Sequence, residues 1–228
     1  MSSTIVTVSD DIHLIPAVDG WCVPAHRTEA YPRIGDFIAL AAITDISQLR
    51  ALWRDLYPNM DAGEVFRLPG GFCLVGDGRV LVQPQCCADF SDVGWWGTAA
   101  DFDDPEWSRP YFSNGWIRLW FGHPKLAARQ VGCNVWLAPD DDSDNYPVLP
   151  LEGAPIMSLP VRALRRALDE AMRVMRMMEA RLDQALTGSI PDHLRAAAID
   201  LMLNGANGRY DELRALNQEP ASLLLRDR

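Results

Sequence analysis

The chain has 228 residues, 48% hydrophobic and 23% charged, with a formal net charge of −10. Those values describe a folded globule long enough to bury about 70% of its unfolded surface, and they exclude a largely disordered chain. No stretch approaches the roughly 18 uninterrupted apolar residues of a membrane span, and no basic-then-apolar leader opens the chain, so a cytoplasmic protein is predicted.

The five cysteines (Cys22, Cys73, Cys86, Cys87 and Cys133) are odd in number, which fits reduced thiols. Lys125 is the single lysine among 21 basic residues, a bias typical of GC-rich bacterial coding. Residues 1–158 carry 21 Asp and Glu against 10 Lys and Arg, whereas residues 159–228 carry 10 against 11. The acidic excess therefore belongs to the first part. A field of that sign repels nucleic-acid phosphates and anionic lipid and attracts basic proteins.

In chain order, Phe37–Ile43 is a short apolar run and is predicted to be a strand. Thr44 or Asp45 then caps a helix in which Ile46, Leu49, Leu52, Trp53 and Leu56 recur at helical spacing, ending at Pro58. Val65–Leu68 is followed by a turn at Pro69-Gly70-Gly71. Phe72–Val75 and Val80–Gln83 flank Gly76-Asp77-Gly78, a hairpin signal because such turns need positive φ. Strands over 116–121 and 131–137 complete an expected antiparallel sheet. The predicted fold class is α+β, an antiparallel sheet with at least one packed helix, followed by a C-terminal helical hairpin or three-helix tail.

Three segments are expected: an acidic, aromatic-rich domain over 1–138, a proline- and aspartate-rich linker over 139–160, and a helical tail over 161–228. In the tail, Leu164, Leu168, Ala171, Met175, Met178, Leu182 and Ala185 alternate steps of three and four, and Gly188 stands where a C-terminal cap belongs. A second helix is expected from about Pro191 to Gly205 and a third over about 210–216. The seam of 161–185 serves either intrachain packing or a homo-oligomer.

No Walker loop, dinucleotide fingerprint, HExxH, GxSxG or paired CxxC occurs, and no cofactor or metal is predicted. The densest signal is the run Phe90–Phe121, where ten aromatics are interleaved with acids. Trp95, Trp96 and Trp107 fall in a stretch broken by glycine and proline, predicted to be a long loop. With Asp101, Asp103, Asp104 and Glu106 they form the predicted partner-binding set, rings anchoring and carboxylates pairing with Lys or Arg. The same segment could instead fold onto its own sheet. The alternative catalytic set is Cys86 or Cys87 with Asp89 and His123, since a thiol nucleophile needs a base and an orienting carboxylate.

The run Val80-Leu-Val-Gln-Pro-Gln-Cys-Cys-Ala-Asp-Phe-Ser-Asp92, the tryptophans after it, and Trp120-Phe-Gly-His-Pro124 together resemble bacterial proteins of the SUKH immunity superfamily. The resemblance spans about 45 residues and implies an α+β protein that neutralises a toxin by binding it. A stoichiometric binder that masks a basic partner, such as a toxin, is thus the leading expectation. A thiol enzyme and an oligomerising helical scaffold are the rivals.

Overall fold

A computed structural model describes residues 4–57, 68–85, 88–100, 115–119, 122, 125–140 and 148–204. In chain order the elements are β1 (Ile5–Thr7), β2 (Ile12–Asp19), α1 (Ala25–Thr28), β3 (Arg33–Ile34), β4 (Phe37–Ala39), α2 (Ile46–Leu56), β5 (Gly70–Gly76) and β6 (Arg79–Val82). There follow α3 (Val93–Ala100), β7 (Ile117–Leu119), β8 (Leu126–Val131), β9 (Asn134–Pro139), β10 (Ile156–Pro160), α4 (Val161–Leu186) and α5 (Asp192–Asn204). The protein is α+β, with two five-stranded sheets ordered β1-β10-β9-β8-β7 and β3-β4-β2-β5-β6.

The chain divides into two compact units. One gathers Met1–Ile15, Gly71–Ala88 and Asp92–Met172; the other gathers Pro16–Gly70, Asp89–Ser91 and Arg173–Arg228. Ile156–Pro160, expected within a linker, is an inner strand, antiparallel to β9 and parallel to β1. Its prolines do no harm, because Pro155 precedes the strand and Pro160 ends it, leaving Met157, Ser158 and Leu159 to supply amide donors.

In the first unit, β7, β8 and β9 form a meander, with Ile117 opposite Ala128 and Ala128 opposite Leu137. The run expected as one strand over 131–137 is divided between β8 and β9. Gly132 takes φ +60° at the turn, a conformation open to glycine at no steric cost, so the chain reverses there. Trp116, Ala127, Ala138, Val148 and Ile156 form a buried cluster on this sheet, with Trp136 packed against it. Trp116 is therefore a core residue, while Trp120 lies outside the described residues. Arg118 of β7 and Asp140, just after β9, form a charged pair: Arg118 Nε donates to Asp140, whose side chain is fully buried.

The hairpin β5–β6 forms as predicted, with Gly76 opposite Arg79. Asp77 (φ 51°) and Gly78 (φ 71°) both lie in the left-handed region, as a two-residue turn that matches strand twist requires.

In the second unit β4 pairs with both β3 and β2, placing Phe37 opposite Ile34 and Asp19. The strand expected over 37–43 stops at Ala39, and a 3-10 turn follows over Leu40–Ala42. The helix predicted after it is α2. Asp45 caps it, accepting from the Ser47 amide at 2.7 Å, and Leu49, Leu52 and Trp53 are its fully buried face. Gly70 marks a close backbone approach: a Cβ there would stand 2.3 Å from the Ala17 carbonyl oxygen.

The seam predicted along α4 is real. Leu164, Ala171, Met175, Met178, Leu182 and Ala185 are all buried, and Leu168 is half-buried. Those side chains are thus covered within one copy of the chain. Gly188 follows the helix with φ +75°. Arg195 of α5 reaches back to Asp183 of α4 at 2.6 Å, so the two helices turn at a tight corner. The third helix expected over 210–216 lies outside the described residues.

Candidate functional site

A cavity of about 800 Å³ in the second unit is built around the turn that follows β2. Asp19 ends that strand in extended conformation (φ −61°, ψ 119°), and its Oδ1 accepts from the Trp21 amide at 2.9 Å. The Gly20 amide donates to the Asp36 carbonyl at 3.2 Å, tying the turn to the β3–β4 hairpin. These two anchors fix the backbone of Gly20–Cys22 while the indole of Trp21 stands 86% exposed. For so large an apolar ring this is unusual, since an unpaired indole in water forgoes its burial energy.

Glu29, Arg33, Asp36 and Asp55 line the cavity with Trp21 and Cys22. Asp55 is buried and committed: its Oδ1 accepts from Arg27 Nη1 at 2.6 Å and its Oδ2 from the Tyr31 hydroxyl at 2.9 Å. That triad holds α1 and the segment after it against α2, forming one cavity wall. Arg33 approaches Asp36 only to 3.6 Å, a loose pair with both groups substantially exposed. An exposed pair of this kind contributes at most about 1 kcal/mol. Glu29 makes no ion pair among the described residues. The cavity thus presents an unused carboxylate, a weakly engaged one and a solvent-facing indole.

Cys22 is exposed on the same turn. Partial burial of its sulfur, and then the negative charge of Asp19, push its thiol pKa up. A nucleophilic cysteine needs the opposite shift, because only the thiolate attacks. Cys73, buried in β5, is pushed up to about 12 by burial alone. Neither thiol is set for covalent chemistry.

A second cavity of about 530 Å³ lies at the start of α4, bordered by Asp10, Asn134, Arg162 and Arg165. Its cations are engaged: Arg162 pairs with Asp10 at 2.5 Å, and Arg165 donates to the Ala100 carbonyl at 3.0 Å.

The structure places the predicted residues as follows. Trp95 and Trp96 sit on α3, not in an irregular loop, because Gly94 and Gly97 are accommodated inside a helix of small residues. Trp96 is 1% exposed and Trp95 half-buried. Trp96 is therefore a core side chain and is removed from the partner-binding set. Asp101, Asp103, Asp104, Glu106 and Trp107 lie outside the described residues, as do Cys86, Cys87 and His123. Asp89 is described and buried; its Oδ1 accepts from the Ser91 amide at 2.8 Å and from the Ser91 hydroxyl. That carboxylate is occupied in starting the 3-10 turn Phe90–Asp92. Among the described residues no three His, Cys, Asp or Glu side chains gather as a metal site would require. No described helix is long and apolar enough to cross a membrane.

Sequence reasoning missed Trp21. It lies outside the aromatic-rich run, and its only local signal is Asp19 two residues earlier, the spacing at which a side-chain oxygen caps a turn. No protein-family model, curated protein or solved structure matches the chain.

Proposed function

We propose that this chain is a protein-binding module that docks a basic partner, in the manner of the immunity proteins its sequence resembles. The observation that carries this reading is Trp21, held 86% exposed on a backbone turn pinned at both sides. A rigid, solvent-facing indole is the residue type most often found at the energetic centre of protein interfaces. Its setting supplies the sign of the partner, since the acidic excess of the chain lies wholly in residues 1–158. Opposite charge speeds association and selects the partner more than it adds affinity. The masked toxin is part of this proposal and rests on the resemblance.

The test is a binding titration against the protein that co-purifies from the native host. Trp21→Ala should weaken capture by about tenfold or more, the usual cost of an anchor. Asp103→Arg with Asp104→Arg tests the acidic segment on its own, through a flatter salt dependence. Capture untouched by Trp21→Ala would remove the indole from the interface and this reading with it.

A further inference from the structure

We infer that the cavity beside Trp21 receives an arginine side chain from a basic segment of the partner protein, stacked on the indole and held by Glu29 and Asp36. This deepens the docking reading above and rests on it.

Three observations lead there. First, two acids of the cavity are not firmly committed among the described residues: Glu29 has no ionic partner there, and Asp36 has only Arg33 at 3.6 Å, beyond hydrogen-bond reach. The buried carboxylate Asp55 is neutralised by Arg27, so the surplus is carried by the exposed pair of acids. Second, the face of an indole attracts a cation, and the attraction is stronger for a flat guanidinium that can also bind a carboxylate with two parallel hydrogen bonds. Third, the chain already brings a guanidinium of its own to this place, because Arg33 both lines the cavity and faces Asp36. Its loose geometry makes it a stand-in that an incoming arginine can displace. At about 800 Å³ the cavity exceeds one side chain, which suits several residues of a segment bearing one arginine.

The experiment uses the full chain labelled with 5-fluorotryptophan and titrated with three peptides, Gly-Gly-Xaa-Gly-Gly, in which Xaa is arginine, lysine or citrulline. The fluorine resonance of Trp21 is the one missing from the Trp21→Phe variant. The arginine peptide should shift that resonance, and citrulline, the same shape without charge, should bind about tenfold more weakly or worse. Lysine should fall between them. Glu29→Gln and Asp36→Asn should each weaken the arginine peptide about three- to tenfold. Arg33→Ala should tighten it by a similar factor, since the internal competitor is gone; a merely structural role for Arg33 predicts no gain. No response at Trp21, or an equal response to arginine and citrulline, overturns the assignment. If the peptides fail but Trp21→Ala still abolishes capture of the whole partner, only the arginine assignment falls. If the arginine peptide binds as described while Trp21→Ala leaves capture intact, the docking reading is the one that fails.

Discussion

The hydroxyl of Tyr31 donates to Asp55 Oδ2 at 2.9 Å, joining two residues 24 positions apart, while Arg27 holds the other oxygen of the same carboxylate. Asp55 sits on the buried side of α2, where an unpaired charge would be costly. Removing it by Asp55→Ala leaves the Tyr31 hydroxyl without its acceptor and frees the wall of the candidate cavity. The expected loss is about 2–4 kcal/mol of unfolding free energy, measured by urea denaturation.

The same contact predicts an alkaline dependence. Burial first, then the hydrogen bond and charge of Asp55, raise the Tyr31 phenol from 10 to about 12, against a smaller opposing pull from Arg27. A raised pKa means the neutral phenol is favoured by folding. Its contribution is complete below pH 10 and is lost as pH rises from 10 to about 12. The difference in Tm between the wild type and Tyr31→Phe should therefore shrink across that interval. A constant difference would show that the phenol ionises in the folded protein as it does unfolded.

The last turn of α4 contains no basic residue, yet its terminal carbonyls are not left bare. Arg50 of α2 donates from Nε to the Ala185 carbonyl at 2.7 Å and from Nη2 to the Gln184 carbonyl at 3.4 Å. A cation placed there satisfies orphan acceptors and opposes the negative end of the helix dipole. Arg50→Ala should cost about 1–2 kcal/mol in denaturant unfolding, and Arg50→Lys should recover only part of it, since one ammonium cannot span both carbonyls. Full recovery by lysine would reduce the effect to charge alone.

Trp53 is completely buried, 5.4 Å from the ring of Tyr57, and its indole N–H finds no acceptor among the described residues. An orphan buried donor costs about 1–3 kcal/mol, comparable to what a smaller ring would forfeit in packing. Trp53→Phe should therefore change stability by less than about 1 kcal/mol, well below the usual 3–5 kcal/mol for truncating a buried aromatic to alanine. A loss above about 2 kcal/mol would mean that volume, not the unmet hydrogen bond, governs this position.

Cys22 is exposed, but its thiol is held protonated by partial burial and by Asp19. Iodoacetamide at neutral pH should label it more slowly than it labels free cysteine, and Asp19→Asn should speed the reaction. Fast labelling in the wild type would reinstate this turn as a site of thiol chemistry.

Much of the helical architecture was legible because its signals are local. Asp45 caps α2 through an atom two residues away, and the apolar spacing of 164–185 buries one face of α4 whatever lies opposite. The Asp77-Gly78 turn was legible for a similar reason, since its two positive φ values are a property of the dipeptide. The sheets were less so. Ala127 and Ala128 in β8 carry little hydrophobic signal, and β1 has three residues; each is a strand because of what it pairs with. Glycine and proline around 94–110 suggest a loop, but at Trp95 and Trp96 the chain is helical, because Val93–Ala100 gains enough from burying Trp96, Ala99 and Ala100 to tolerate two glycines in a helix.

Composition and periodicity alone determined an α+β chain whose acidic excess lies in its first 158 residues and whose long helix carries one apolar face. Both follow from residue type and spacing, which are properties of the chain before it folds. Only the tertiary structure decided that the proline-rich segment supplies an inner strand, that Trp96 is covered and that Trp21 is not. Exposure depends on which distant residues arrive alongside. Here Asp36, brought beside Gly20 by the pairing of β2 with β4, holds the turn that keeps one indole in water.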